Sequence, residues 1–342
     1  MKKIMFLLCA AALMGVAGCS KDDEKSSSNS DDDVTFEELD VEGMYGPGKR
    51  ILSVAENGTS VESWVWQAGR LIAVNNSSTG EPQSSFTYGS DNRVQSVTLA
   101  DNSNIELVGD LLNGTFVVDY NGEHVNKLTL TRNAVQLVEA QLSRNTSGKV
   151  SRLDLTFNDA VILPVVNTLI GQVAGNSANI PAITLSDATG RIDFSWVGNN
   201  VIQARLNVGI NANTTKGAIM NSALANYLGS LATYLAYVPD NTPIVFNITL
   251  SDTADYDYDS HHNPFRHFLG QIDISTLSTN NITSESHSAG ATIKAGVSAA
   301  LMVPLFSYPI RQGATTYTYT YENGYPATVT ASDGTVKGYI YQ

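Results

Sequence analysis

Residues 255–262 concentrate side chains that are suited to proton transfer or metal binding. Asp255, Asp257 and Asp259 occupy alternate positions, so a strand would place them on one face, and His261 and His262 follow. Carboxylates and imidazoles serve as general acids, general bases and metal ligands. Their spacing matches neither an EF-hand loop nor the His-Glu-x-x-His pattern. We therefore favour a solvated strand edge and turn, without metal or cofactor; a metal or ligand site and a catalytic site are the alternatives.

A second candidate for ligand binding is a pair of tryptophans. Trp64 and Trp66 are two residues apart, which places them on the same face of a predicted strand. If they are exposed, the two rings form a platform on which a sugar can stack. If they are buried, they anchor the core of the sheet, which is the commoner role of large aromatic residues.

Charge and motif content argue against several functions. The chain contains 20 Lys and Arg against 33 Asp and Glu, and no basic patch is interleaved with aromatic residues, so a nucleic-acid partner is not expected. The sequence also lacks a Gly-x-Ser-x-Gly elbow, a P-loop and a dinucleotide-binding fingerprint. These absences favour a non-catalytic role.

The elements that would position these residues are hairpins. Units that begin at Arg50, Arg70 and Arg93 each continue into an alternating apolar strand, and the first two then pass through a turn into an aromatic strand. Alternation with Asn-Gly and similar turns predicts consecutive antiparallel hairpins, and a repeat of this length extends a sheet strand by strand. We predict a mainly β fold: a strongly curved antiparallel sheet, half-barrel-like in shape. Along 317–321, tyrosines should occupy one face and threonines the other.

One or two inserted helices should cover the concave face of this sheet, because a one-layer sheet exposes a wide apolar surface. The best helix candidate is Ala218–Tyr237, with Asn213, Thr214 and Thr215 as possible N-caps and Pro239 after its end. Residues 161–173 form a second apolar stretch, helical or extended. The helical insertion lies around residues 158–240. The alternative is two β domains divided near residue 158.

The N-terminus carries an address signal. Lys2 and Lys3 precede a short apolar run and small residues that lead to Cys19. This is the layout of a bacterial lipoprotein signal, and the apolar run is too short for an ordinary transmembrane helix. We predict a signal peptide at 1–18, an acidic disordered tether at 19–42 that is lipidated on Cys19, and a β-rich domain at 43–342. Acyl chains on Cys19 would make outer-membrane lipid a permanent partner.

Three segments of the chain resemble known lipoproteins. The Arg-Leu-x-x-Val units, Tyr258–Phe265 with Asn280-Asn281, and the ending Tyr-Glu-Asn-Gly-Tyr-Pro resemble YD-repeat-like, porin-like or half-barrel lipoproteins of unknown function from Bacteroidota. The resemblance covers about half of the mature chain, and residues 158–250 depart from it. In addition, Ser20–Glu24 resembles the signal that exports Bacteroidota lipoproteins to the cell surface. This implies display on the outer membrane, with a periplasmic-facing anchor as the alternative.

These features lead to one expected function and two alternatives. We expect a surface-anchored lipoprotein with a non-catalytic binding or scaffold role, whose ligand is a glycan or another extracellular molecule. One alternative is a hydrolase that uses carboxylates near residues 252–262. The other is a structural partner of an outer-membrane protein.

Overall fold

The computed structural model describes residues 50–100, 114–122, 124–174, 180–265 and 277–342. The predicted signal peptide, the predicted tether and Cys19 lie outside the described residues. Within them, sixteen strands form one antiparallel sheet in which each strand pairs with its neighbours in sequence. The strands are β1 Ile51–Glu56, β2 Thr59–Gln67, β3 Arg70–Asn76, β4 Pro82–Tyr88, β5 Val94–Leu99, β6 Gly114–Asn121, β7 His124–Arg132, β8 Val135–Arg144, β9 Val150–Phe157, β10 Thr184–Val197, β11 Asn200–Thr215, β12 Pro243–His262, β13 Asn280–Ser298, β14 Leu301–Glu322, β15 Tyr325–Ala331 and β16 Val336–Tyr341.

The sheet closes into a barrel because the last strand pairs with the first. Ile51 on β1 lies opposite Tyr341 on β16, and the backbone N–H of Gln342 donates to the carbonyl of Arg50 at 2.8 Å. The predicted mainly β fold with a strongly curved antiparallel sheet is confirmed, and the curvature exceeds that of a half-barrel. The sheet is also continuous through residue 158, since β9 pairs with β8 on one side and β10 on the other.

The barrel wall is uneven in height. Strands β10 to β14 contain 14 to 22 residues, whereas the others contain 6 to 10. The ladder between β14 and β15 covers only Tyr317–Glu322, so the first part of β14 extends past β15. The longer strands extend at the end opposite to Arg50 and Gln342. We call the end with Arg50 and Gln342 the terminal end, and the other the distal end.

Alternation along strands β10 to β13 separates a mainly apolar interior from a mainly polar exterior. On β12 the even-numbered residues from Ile244 to Tyr256 are buried, while the odd-numbered residues between them are more exposed and mostly polar. Successive strand residues point to opposite faces, and buried residues recur in this way on β10 to β13, so one face of each of these strands lies inside. The inward side chains belong to one continuous hydrophobic cluster. The exterior of β11 to β13 carries mainly Asn, Ser and Thr.

Helices pack on the concave side, as predicted. Helix α1 (Asp159–Ala174) begins after Asn158, whose Oδ1 accepts a hydrogen bond from the Ala160 N–H at 2.9 Å. Its buried residues, which include Val161, Val166 and Ile170, join the same cluster as the inward strand residues. Among the described residues, no helix combines the length and apolar composition needed to cross a membrane.

The single helix predicted over Ala218–Tyr237 is wrong, because the segment breaks twice. It forms α2 (Lys216–Met220), a 3₁₀ turn (Ala223–Tyr227) and α3 (Ser230–Leu235). Thr215 caps α2 as expected, but the Ser222 side chain accepts a hydrogen bond from the Leu224 N–H and starts a new turn. Gly229 then adopts φ +50°, a left-handed conformation that interrupts a helix. The range 158–240 also contains β10 and β11, which the helices flank.

The sequence repeat has a physical basis at the terminal end. In each of the eight strand pairs β1–β2, β3–β4 and so on to β15–β16, a side chain near the end of the second strand donates a hydrogen bond to a main-chain carbonyl near the start of the first. The eight donor–acceptor pairs, at 2.6–3.3 Å, are Trp66–Ile51, Tyr88–Leu71, Tyr120–Val94, Arg144–Val125, Trp196–Val150, Tyr258–Val201, Tyr319–Ile282 and Tyr341–Pro326.

In four of these strand pairs, a cation also contacts the donor aromatic ring. The side chains of Arg50, Arg70, Arg93 and Lys149 lie 4.4–5.6 Å from the ring centres of the donor aromatics, a cation–π arrangement. Each cation directly precedes the residue that supplies the carbonyl. The arginine spacing in the sequence therefore reflects one contact that recurs in the strand pairs β1–β2, β3–β4 and β5–β6.

We expect Tyr88→Phe to lower the free energy of unfolding by about 1 kcal/mol, because it removes the 2.7 Å hydrogen bond to the Leu71 carbonyl and keeps the ring under Arg70. Urea unfolding of the full-length protein measures the change. Tyr237→Phe is the matched control, since the Tyr237 side chain is 87% exposed. Equal stability of the two variants would contradict the prediction.

Candidate functional site

The barrel interior contains a chain of charged side chains on β12, β13 and β14. His287 Nδ1 lies 3.0 Å from Asp252 Oδ2, and the two side chains are only 2% and 6% exposed. The other ring nitrogen, His287 Nε2, lies 4.0 Å from Glu285 Oε2. Buried charges are stable only when they are paired and hydrogen-bonded, so these three residues must be considered as one unit.

Strand alternation explains why these residues face inward. On β13, Glu285 and His287 have the same parity as the buried Ala289, Ala291 and Ile293. Asp252 on β12 likewise continues the buried series of even-numbered residues. Period-2 geometry therefore carries three polar side chains onto an otherwise apolar face.

The Glu285 carboxylate is held from several sides. Tyr317 donates its hydroxyl to Glu285 Oε1 at 3.0 Å, and Arg311 Nη2 lies 3.4 Å from the same oxygen. Burial alone would raise the pKa of Glu285, but hydrogen bonds from His287 and Tyr317, with the charges of His287 and Arg311, lower it below its ordinary value. The group is thus an ionised, oriented hydrogen-bond acceptor.

The imidazole of His287, next to Glu285, favours its charged form. Burial would lower the pKa of His287, but hydrogen bonds to Asp252 and Glu285, together with the negative charge of Asp252, raise it. A protonated His287 donates from Nδ1 to Asp252 at 3.0 Å, and its positive charge lies 4.0 Å from the Glu285 carboxylate, so the imidazolium lies between the two carboxylates. Its role in this arrangement is to position Glu285.

Glu285 also lines a cavity of about 170 Å³ between β13–β16 and the first two strands. Its base, toward the terminal end, is formed by buried residues such as Asn281, Ile282 and Pro326. The exposed Lys337 and the half-buried Thr335 lie at its distal edge. The other lining residues are Val54, Glu62, Asn263, Phe265, Tyr317, Tyr319, Val329, Ala331 and Tyr339.

A second carboxyl group, Glu62 on β2, lines the same cavity five strands round the sheet from β13. Trp64 Nε1 donates to Glu62 Oε2 at 3.1 Å. Burial raises the pKa of Glu62, against the smaller lowering effects of the Trp64 hydrogen bond and the Lys337 charge. The environments of Glu62 and Glu285 therefore shift their pKa values in opposite directions.

Aromatic rings form much of the remaining wall. Phe265 packs against Tyr339 with ring centres 5.5 Å apart and against Trp64 at 6.2 Å. Tyr319 directs its hydroxyl to the Ile282 carbonyl at 2.9 Å. The predicted alternation along 317–321 is confirmed, since the tyrosines are less exposed than the intervening threonines.

The predicted carboxylate cluster is dispersed. Asp255 lies on the barrel exterior, where its Oδ1 accepts a hydrogen bond from Gln203 Nε2 at 2.5 Å, and Asp257 is also exposed. Asp255 does not lie on a sheet edge, because it pairs with Gln203 on β11 and with Ser286 on β13. Asp259 does not share their face, since the ladder shifts register at Tyr258.

Asp259 lies in the irregular last part of β12, at the terminal end. Its carboxylate accepts hydrogen bonds from the His261 N–H at 2.9 Å, from both nitrogens of Asn281, and from the Tyr321 hydroxyl. His261 stacks on Tyr321 at 3.8 Å between ring centres, and His262 lies opposite Asn280 in the ladder. The contacts of Asp259 therefore stabilise the register irregularity at the end of β12.

The two tryptophans are core residues and not an exposed pair. Trp64 is 4% exposed, and the half-buried Trp66 donates its indole N–H to the Ile51 carbonyl at 2.8 Å. They do not form an exposed platform. Trp64 nevertheless reaches the candidate site through its hydrogen bond to Glu62.

Sequence reasoning missed Glu62, Glu285 and His287 as site residues. The sequence did contain a signal for Glu285 and His287, because both occupy positions that alternate in step with the apolar residues of the same strand. Glu62 carried a weaker signal, as it shares the parity of Trp64 and Trp66 on β2.

Within the parts of the chain that the structure describes, no three His, Cys, Asp or Glu side chains are grouped so as to hold a metal ion. Comparison of the chain with protein-family models and with curated proteins finds no match in either set. The functional assignment therefore rests on the geometry of the cavity.

Proposed function

We propose that this protein is a surface-anchored lipoprotein with a non-catalytic binding role, and that it holds an extracellular ligand, preferably a glycan, in the cavity beside Glu285. The observation that carries the proposal is the cavity wall, which combines an oriented carboxylate, a second carboxyl group and several aromatic rings. A few fixed polar groups among apolar and aromatic ones are typical of ligand pockets.

The position of the chain termini supports an anchored, outward-facing site. The first described residue, Arg50, lies at the terminal end, and the predicted lipid attachment at Cys19 precedes it in the chain. Thr335 and Lys337 lie toward the distal end. A tether from Cys19 would thus hold the terminal end near the outer membrane and direct the cavity edge away from it. Protease accessibility on intact cells separates surface display from the periplasmic-facing alternative.

The fixed state of the network supports binding over catalysis. His287 and Glu285 are tied to each other and to Asp252, Arg311 and Tyr317. Such ties stabilise one protonation state, whereas a general acid or base must change its protonation during turnover.

A hydrolase is the second candidate, and one observation favours it. Glu62 and Glu285 line the same cavity with pKa values shifted in opposite directions, and such divergence is a mark of acid–base pairs. Release of reducing sugar from a bound glycan, abolished by Glu62→Gln, would identify this activity. Binding without any product favours the non-catalytic role.

We expect Glu285→Gln to weaken ligand binding at least tenfold, because it removes the charge of the oriented acceptor, and hydrogen bonds to charged groups contribute about 1.5–3 kcal/mol. The measurement is a glycan array with the full-length protein in a detergent without a sugar headgroup, followed by titration calorimetry on the hits. Glu322→Gln is the matched control, since Glu322 is exposed and does not line the cavity.

Two results would contradict the proposal. One is the absence of binding to every glycan tested. The other is a Kd that Glu285→Gln leaves unchanged, which would place the ligand elsewhere on the molecule.

A further inference from the structure

We propose that the cavity takes one uncharged sugar ring, so that the protein recognises the terminal unit of a neutral glycan end-on and does not lie along the interior of a chain. This inference rests on the proposed function and specifies its ligand class. It follows from the size of the cavity, its closed base, its charge balance and the arrangement of its polar groups.

Size limits the occupant to one ring. The cavity measures about 170 Å³. A cavity of about 150 Å³ in another protein holds one benzene-sized ring, whereas pockets for drug-sized ligands start at about 300 Å³. A single pyranose ring fits this scale and two linked rings do not.

The shape of the cavity sets the direction of entry. Asn281 and Ile282 are 4% and 7% exposed and, with buried Pro326, form the base. Lys337 is exposed at the distal edge. A ring that enters past Lys337 reaches a closed base, so the rest of a glycan must remain outside. Recognition of a chain end follows from this geometry.

Charge balance selects a neutral ring. The negative Glu285 is matched by Arg311 at 3.4 Å and by His287 at 4.0 Å, and His287 is in turn matched by Asp252 at 3.0 Å. Lys337 lies near Glu62, whose carboxyl group it influences electrostatically. A carboxylate on the sugar would add an unmatched negative charge next to Glu285, and such a charge is costly to bury.

The polar groups suit a polyhydroxylated ligand. Glu285 offers an acceptor to sugar hydroxyls, and Glu62, held by Trp64, offers a donor when protonated and an acceptor when ionised. The rings of Tyr319, Tyr339 and Phe265 supply apolar surface for the C–H face of the sugar. Sugar rings present both kinds of surface.

The test uses the full-length protein in a sugar-free detergent and a panel of methyl hexopyranosides with their uronate counterparts. We expect at least one neutral methyl glycoside to bind in ligand-observed NMR and to displace a bound neutral oligosaccharide completely. Its uronate should bind at least tenfold more weakly. Both Glu285→Gln and Tyr339→Ala should weaken binding of the monosaccharide, whereas Glu322→Gln should not.

The outcomes separate this inference from the proposed function. If an oligosaccharide binds and responds to Glu285→Gln but no monosaccharide displaces it, the single-ring inference is overturned and the binding role remains. A uronate that binds as well as its neutral counterpart also overturns the inference. If no glycan binds, both the inference and the glycan ligand are overturned.

Discussion

Replacement of His287 with leucine should lower the free energy of unfolding by about 3–5 kcal/mol, because it leaves Asp252 and Glu285 buried without their shared cation. Asp252 has no substitute partner, since its Oδ1 is buried and receives no hydrogen bond from the described residues. A loss of this size is a large part of the 5–15 kcal/mol that stabilises a typical domain. Urea unfolding at pH 6 measures it.

A second substitution separates lost charge from lost packing. We expect Asp252→Leu with His287→Leu to recover most of the loss, because a buried ion pair can be replaced by apolar residues at little cost. Ser286→Ala is the control on the same strand, and its outward side chain predicts a change within 0.5 kcal/mol. If the free energy of unfolding of His287→Leu lies within 1 kcal/mol of the parent value, the stability of Asp252 and Glu285 in the interior does not depend on His287.

The same network gives the stability a pH dependence whose sign follows from the pKa shifts. The pKa of folded His287 is raised above 6.5, so its contribution is complete below that pH and is lost as pH rises through the raised value. The pKa of folded Glu285 is lowered below 4.5, so its contribution is lost as pH falls through the lowered value. His287→Leu should abolish the alkaline loss, which unfolding at pH 6, 7.5 and 9 would reveal.

Deletion of Val336–Gln342 should abolish cooperative unfolding, because it removes β16 and opens the barrel. β1 and β15 each lose one of their two partner strands, and the side chains of Ile51, Val54 and Val329 become more exposed. Exposure of each such side chain costs about 1.5–3 kcal/mol, and the new edges favour association with other chains. Circular dichroism during urea unfolding and size-exclusion chromatography report the two effects.

The control for this deletion is removal of Gln342 alone. That variant loses one hydrogen bond, from its N–H to the Arg50 carbonyl, and retains every strand. We expect it to unfold cooperatively with a loss of about 1 kcal/mol. A cooperative transition with an unchanged midpoint after deletion of the whole strand would mean that closure does not stabilise the fold.

The hairpins were predictable because their causes are local. Two-residue alternation and turns such as Asn57-Gly58, both at positive φ, specify a hairpin without reference to the rest of the chain. The arginine spacing was visible too, although its cause, a cation over the aromatic ring of the same hairpin, required coordinates. The single predicted helix failed at Ser222 and Gly229, where side-chain capping and a left-handed glycine outweighed apolar periodicity.

The candidate site was harder to predict, because proximity in sequence and proximity in space differ in a sheet. Asp255, Asp257 and Asp259 are close in sequence, yet a register shift after Tyr258 puts Asp259 on a different face of β12 from Asp255 and Asp257, which lie outside. Glu62 and Glu285 are 223 positions apart in the chain and line one cavity. The face of the sheet to which a side chain points follows from local alternation, whereas the residue that it meets across the barrel depends on the whole fold.

Local chemistry in the chain was sufficient to establish a mainly β fold of antiparallel hairpins, because turns and two-residue alternation act over a few residues. Tertiary structure alone decided that the sheet closes, since the pairing of β1 with β16 joins opposite ends of the described chain. Closure brings β2 and β13–β16 around a common interior. Polar residues that are far apart in sequence, but that point to this interior, therefore line one cavity.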